Sequence, residues 1–213
     1  MSEADFDELS SNFGLRERRS NSWSEQAQKL MAEDDFDGAF LFYWIAFNAL
    51  YSDERTIEYE TGERDAQIQF IKKIHKLDRN HGRLYDIFWA EFPNTIRVLL
   101  SNRFIYGRYW REIRESEEES HWAEQMRSAS QSAMRSLKTK GSAARGLGIV
   151  FERLNVLRNQ LAHGSSTYGG SLNREQVKTG AMFMHKIVPI FQDIFRENPE
   201  TDWGVPPYPP QNR

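Results

Sequence analysis

The chain of 213 residues contains no cysteine, so disulfide frameworks, cysteine-ligated zinc and thiol nucleophiles are excluded. Long apolar runs are also missing. Nothing approaches the ~18 consecutive apolar residues of a membrane span, and the aromatic stretch from Phe36 to Tyr51 is interrupted by Asp37, Gly38 and Asn48. Met1 to Glu8 are acidic and polar, which does not fit a secretory leader. There is no persistent strand alternation, no internal repeat, no glycine loop followed by lysine and no Gly-x-Ser-x-Gly elbow. A net charge of −3 speaks against a generic nucleic-acid coater while leaving room for a local basic groove. These absences predict one all-α, cytoplasmic domain without a membrane segment.

Helical patterns fill most of the chain. Residues 1–21 are charged and poor in aliphatics, and are expected to form a flexible start. A first helix is expected from Ser24 to Glu33 with Ser22 or Ser24 as its cap, and a second from about Asp37 to Tyr51. The run Glu33-x-Asp35-x-Asp37-Gly38 opens like a calcium loop, but its twelfth position is Trp44, so it reads as an acidic N-cap cluster. Further helices are expected over Glu63–Lys76, over Arg83–Phe92, and from Pro93 through Leu100. Residues 104–138 are charged and partly aromatic, and read as an extended helical arm or insertion. A helix ending at His163 follows Ser142, and the last runs from Asn173 to Phe195. The domain therefore spans 22–197. The proline-rich tail, 198–213, is expected to be extended and able to lie on a neighbouring surface.

Chemistry concentrates in Arg158-Asn159-Gln160-Leu161-Ala162-His163-Gly164. Leu147, Val150, Phe151, Leu154, Leu157 and Leu161 form one helical stripe, which places the polar trio beside a buried seam. Gly164 suits the C′ position, so His163 falls at the negative end of the helix dipole, a setting for a titrating proton carrier. Arg158 offers a permanently charged fork suited to phosphate. Asn159 and His163 share a face, whereas Arg158 and His163 diverge by about 140° and about 7.5 Å along the axis. Two copies facing each other could bring both groups to one phosphate more readily than one copy can.

The Arg-Asn-x-x-x-His pattern at a helix end resembles the HEPN superfamily, in which four to six residues lie between Arg and His and Asn, Asp or His commonly follows the Arg. Phe40 to Tyr51, with its Trp44-x-Ala46-Phe47-Asn48-Ala49-Leu50 core, resembles the early helix of the Apea-like branch. The likeness reaches from about residue 23 to 195, although only these two stretches match specifically. The resemblance implies a HEPN-like helical bundle that forms a homodimer and cleaves RNA without a metal or other cofactor. It implies catalytic roles for Arg158, Asn159 and His163. It also implies a toxin-like or antiviral defence setting, with an antitoxin or regulatory protein as a possible partner. HEPN toxins paired with nucleotidyltransferases usually continue as His-x-Tyr, with the tyrosine modified. Here Ser165 stands in that place and the nearest tyrosine is Tyr168, which puts such control in doubt.

Two other stretches bear on RNA. Residues 125–151 hold no acid but carry Arg127, Arg135, Lys138, Lys140 and Arg145. Lys138, Lys140 and Arg145 could guide an RNA backbone toward the motif, or simply solvate a helix face. Tyr106, Arg108, Tyr109, Trp110 and Arg111 could stack bases, with packing as the simpler role. His75 and His81 lack metal-ligand spacing, and His121 and His185 are isolated, so no metal site is expected. Asn48, an amide in an aromatic helix, is expected to make a structural bond. Apart from the nuclease, the sequence fits a HEPN-like dimer that senses a ligand or partner without cutting RNA, or a dimerisation domain of a larger assembly.

Overall fold

The computed structural model describes residues 11–53, 62–90, 93–115, 121–171 and 173–208. These form an all-α bundle of helices α1 (Asn12–Ala32), α2 (Phe36–Tyr51), α3 (Glu63–Leu77), α4 (Arg83–Ala90), α5 (Pro93–Ser101), α6 (Gly107–Glu115), α7 (Trp122–Leu137), α8 (Ala143–Ala162) and α9 (Arg174–Arg196). Short 3-10 turns occupy Arg103–Ile105 and Lys140–Ser142. None of the described helices is long and apolar enough to cross a membrane.

Helix α2 is the centre. It is flanked by α1 and α9, and touched by α3 and α8. Its start follows from the acidic cluster: Asp35 caps the helix by accepting from the Gly38 amide at 3.0 Å, and Asp37 pairs with Arg174 of α9. These acids serve the helix N-terminus, as their position at its positive end favours. Within α2, Phe40, Tyr43, Phe47 and Leu50 are wholly buried. Asn48 Oδ1 accepts the Tyr51 hydroxyl at 2.8 Å, a structural bond.

The first helix begins at Asn12, well ahead of Ser24, so the expected flexible start does not extend through residue 21. Residues 1–10 lie outside the described part. Polar side chains do the packing that aliphatics usually do. Arg16 is fully buried and donates to the Ala49 carbonyl at 3.3 Å, and Gln192 donates to the buried Ser20 hydroxyl at 2.9 Å. Burial pulls the Arg16 guanidinium down to about 10, with Asp53 opposing. Ser22 lies inside the helix and its hydroxyl returns to the Arg19 carbonyl, while Ser11 is the actual cap.

In the 104–138 stretch the described residues fold as the 3-10 turn, α6 and α7; residues 116–120 lie outside. Glu112, within this charged stretch, is buried. It pairs with Arg108 at 2.7 Å and accepts the His121 and Trp122 amides at 3.0 and 2.9 Å, so α6 caps α7. Helix α7 lies so close to α8 that a Cβ on Gly146 would sit 2.5 Å from Leu137. The tail rests on its own bundle. Trp203 packs 4.5 Å from the Phe195 ring, and Arg19 donates to the Pro207 and Tyr208 carbonyls at 2.6 Å each. Residues 209–213 lie outside the described part.

Two outcomes follow for stability. Phe47→Ala opens a cavity at the meeting point of α2, α3, α8 and α9 and is expected to cost about 3–5 kcal/mol in urea unfolding. Tyr43 is wholly buried, its hydroxyl 2.6 Å from His185 Nδ1, and burial pushes its phenol up to about 12. The unfolded phenol ionises near its ordinary value of 10.0. Between these two values the unfolded state holds fewer protons, so stability falls as pH rises. Wild type should therefore lose stability over that interval more steeply than Tyr43→Phe, read from urea midpoints at each pH.

Candidate functional site

Helix α8 is buried along Leu147, Val150, Phe151, Leu154 and Leu157, and its polar end emerges at the surface. It closes with a Schellman motif. Gly164 takes φ +66°, its amide reaches the Leu161 carbonyl at 3.2 Å, and the Ser165 amide reaches Gln160 at 2.8 Å. Gly164 thus holds the C′ position expected of it, with His163 as the C-cap.

The trio divides. Asn159 and His163 are exposed and line a cleft of about 1040 Å³. Arg158 is half-buried on a different face, its guanidinium carbon 5.5 Å from the centre of the Trp44 ring. The contact joins α8 to α2, and Phe151 reinforces it, 4.7 Å from Phe47 and 6.2 Å from Trp44. Within one chain, Arg158 and His163 therefore face different surroundings, as the helical geometry anticipates.

Three walls enclose the cleft: the end of α8, helix α6 with Trp110 and Arg114, and the loop from Gly164 to Asn173. One backbone oxygen ties two of them. The Phe104 carbonyl accepts the Gln160 amide at 2.7 Å and the Trp110 indole N–H at 2.8 Å. Asn173 Nδ2 meets Gln160 Oε1 at 3.5 Å and links the third. Among the described lining residues, Arg114 is the only permanently charged one and His163 the only imidazole; none is acidic. The lining suits an anion. Gln160, Phe104 and Arg114 were not candidates from sequence, because nothing local announces that the 3-10 turn before α6 folds against the end of α8.

Behind this site, Arg153 is buried and its guanidinium carbon sits 3.9 Å from the centre of the Tyr106 ring. Burial pulls the Arg153 cation down and pushes the Tyr106 phenol up. This stacked pair packs the stretch between the 3-10 turn and α8, the role favoured for the aromatic residues there.

The basic stretch is placed elsewhere. Lys138 caps the end of α7, Lys140 opens the second 3-10 turn, and Arg145 stands exposed on the first turn of α8. At 1.5 Å per residue, Arg145 and His163 lie about 27 Å apart along the axis. The structure does not bring Lys138, Lys140 and Arg145 to the motif; they occupy the opposite end of its helix. His185 pairs with Tyr43, and among the described residues no three His, Asp or Glu side chains gather as a metal site.

No family model, no curated protein and no solved structure matches the chain.

Gln160→Leu removes the tie between α8 and the 3-10 turn while keeping the size of the side chain. Because Trp110 still donates to the Phe104 carbonyl, the loss should sit near the low end for a broken hydrogen bond, about 1 kcal/mol by urea unfolding. Hydrogen exchange should accelerate in the loop from Gly164 to Ser171 and stay unchanged in α2.

Proposed function

We propose that the chain is a metal-independent endoribonuclease of the HEPN type, in its Apea-like branch, working as a homodimer. The observation that carries this reading is the meeting of the two resembling segments. Arg158 of one rests on Trp44 of the other, although they lie more than a hundred residues apart in sequence. Asn159 and His163 are exposed on another face of the same helix end, on a cleft whose described lining residues include no acid.

In the reaction the ribose 2′-oxygen attacks the adjacent phosphorus in line, the P–O5′ bond breaks, and a 2′,3′-cyclic phosphate and a 5′-hydroxyl remain. His163 takes the 2′-hydroxyl proton or delivers one to the departing 5′-oxygen. Arg158 offsets charge growing on the phosphoryl oxygens, and Asn159 orients a histidine or holds the phosphate. Because Arg158 and His163 diverge within one chain, the reading draws one group from each copy. DNA lacks the attacking hydroxyl and should resist. The same reading sets the protein in the cytoplasm, in a toxin-like or antiviral role under an antitoxin or other regulator.

The half-buried position of Arg158 against Trp44 favours a second reading, a HEPN-like dimeric module that binds a ligand or partner without cutting RNA. Labelled RNA and matched DNA incubated in EDTA with wild type, His163→Ala and Arg158→Ala separate the two. All three proteins should first be matched for helicity and oligomeric state. The nuclease reading expects RNA-only cleavage ending in cyclic phosphate, reduced at least about a hundredfold in either variant. Equal cleavage by all three would mark a contaminant and remove the assignment. Absence of cleavage by wild type favours the binding module.

A further inference from the structure

The aromatic residues around the 3-10 turn and α6 are not equivalent. Arg103 lies 4.9 Å from the centre of the Phe104 ring and 5.6 Å from that of Tyr109, so both rings already carry a cation. Tyr109 also meets Trp122 edge-on at 5.0 Å. Trp110 differs. Its indole N–H is pinned to the Phe104 carbonyl at 2.8 Å, yet 37% of the residue is exposed and it lines the cleft. A ring fixed by its edge and open to a cleft is a ready stacking platform, because little ordering is left to do when a flat group arrives.

Arg114 stands four residues later on the same face of α6, about 6 Å further along the axis, and lines the same cleft. That spacing lies within the reach of one nucleotide. The opposite wall presents Asn159 and His163. The cavity, about 1040 Å³, is larger than a single nucleotide needs. Trp110 meets Tyr109 at 5.1 Å and Phe104 at 6.2 Å and keeps its remaining surface toward the cleft. A base inside a duplex is already stacked and paired, and only an unpaired base can lie on such an indole at the side of a cleft.

We propose that this cleft binds single-stranded RNA, with an unpaired base stacked on Trp110 and a neighbouring phosphate on Arg114. This places the strand across from His163. The inference rests on reading the cleft as the RNA site and adds what is held there: the unpaired strand, by its base face and backbone charge. Selection for single strands is then built into α6, while the motif on α8 supplies the chemistry.

Binding can be measured apart from cleavage with a fluorescein-labelled 2′-O-methyl octaribonucleotide, whose capped 2′-oxygens cannot attack. Anisotropy would be recorded for this strand and for its blunt duplex, using wild type, Trp110→Ala, Trp110→Phe and Arg114→Gln of matched helicity and melting temperature. The expected result is a single strand bound at least tenfold more tightly than the duplex. Trp110→Ala should weaken it at least about fivefold, and Trp110→Phe should restore most of that loss. Arg114→Gln should weaken binding and lower the slope of log affinity against log salt by about 0.7, the share of one phosphate on a single strand. Equal affinity for strand and duplex, an unaffected Trp110→Ala, or no binding by wild type at 100 µM would each overturn the proposal. Binding that depends on Trp110, without cleavage of unmodified RNA, keeps this subsite and rejects the nuclease. Cleavage with normal Trp110→Ala binding keeps the nuclease and rejects the subsite.

Discussion

The ring of Phe47 meets Phe70 of α3, Phe151 of α8 and Phe191 of α9, at centroid distances between 4.7 and 5.8 Å. Helices from distant parts of the chain are thereby held to α2 through one side chain. Aromatic rings interlocked in tilted and edge-on contacts are sensitive to small displacements, because each ring defines the volume left for the next. The direction of α8 is set by this cluster, since Phe151 is the residue through which α8 enters it. The orientation of α8 in turn decides where its polar end emerges. The position of His163 at the cleft and of Arg158 over Trp44 thus follows from packing several turns away.

A helix that is buried for most of its length and then ends in polar residues gives two kinds of order. The buried stripe fixes the axis, and the Schellman turn at Gly164 fixes where the chain leaves it. Side chains in the last turn are therefore held on a rigid base while remaining open to solvent. The opposite wall is placed by a different device: one carbonyl, that of Phe104, receiving two donors. Rigid helix and shared acceptor together make the cleft a built feature of the fold, with its polar groups set by which residues α6 and α8 turn toward it.

Much of the fold is legible in the chain, for identifiable reasons. The apolar stripe of α8 and the aromatic run of α2 announce themselves by helical spacing, and Asp35 and Gly164 mark their ends by side-chain and backbone chemistry that acts locally. What was illegible is long-range and polar. Arg16 and Ser20 look like surface residues until the Ala49 carbonyl and Gln192 are brought to them, so the start of α1 could not be read. Glu112 looks like one acid among many until it caps α7. Gln160 is an ordinary helix amide until Phe104, fifty-six residues earlier, arrives beside it. The basic residues at 138–145 adjoin the motif helix in sequence, but a helix of that length carries its two ends far apart, and its length alone sets that distance. The split of the motif trio between two surroundings followed from helical angles alone.

The seat of the C-terminal segment on α1 also shapes how the molecule opens. Arg19, on the first helix, grips the carbonyls of Pro207 and Tyr208, and Trp203 is wedged against Phe195 and Phe70. The outer ends of the described fold are fastened to each other, closing a ring through nearly its whole length. Peeling can therefore start at neither end without breaking the same few contacts. Fraying of α1 and release of the tail become one event instead of two, and the bundle gains cooperativity where such folds are ordinarily loosest.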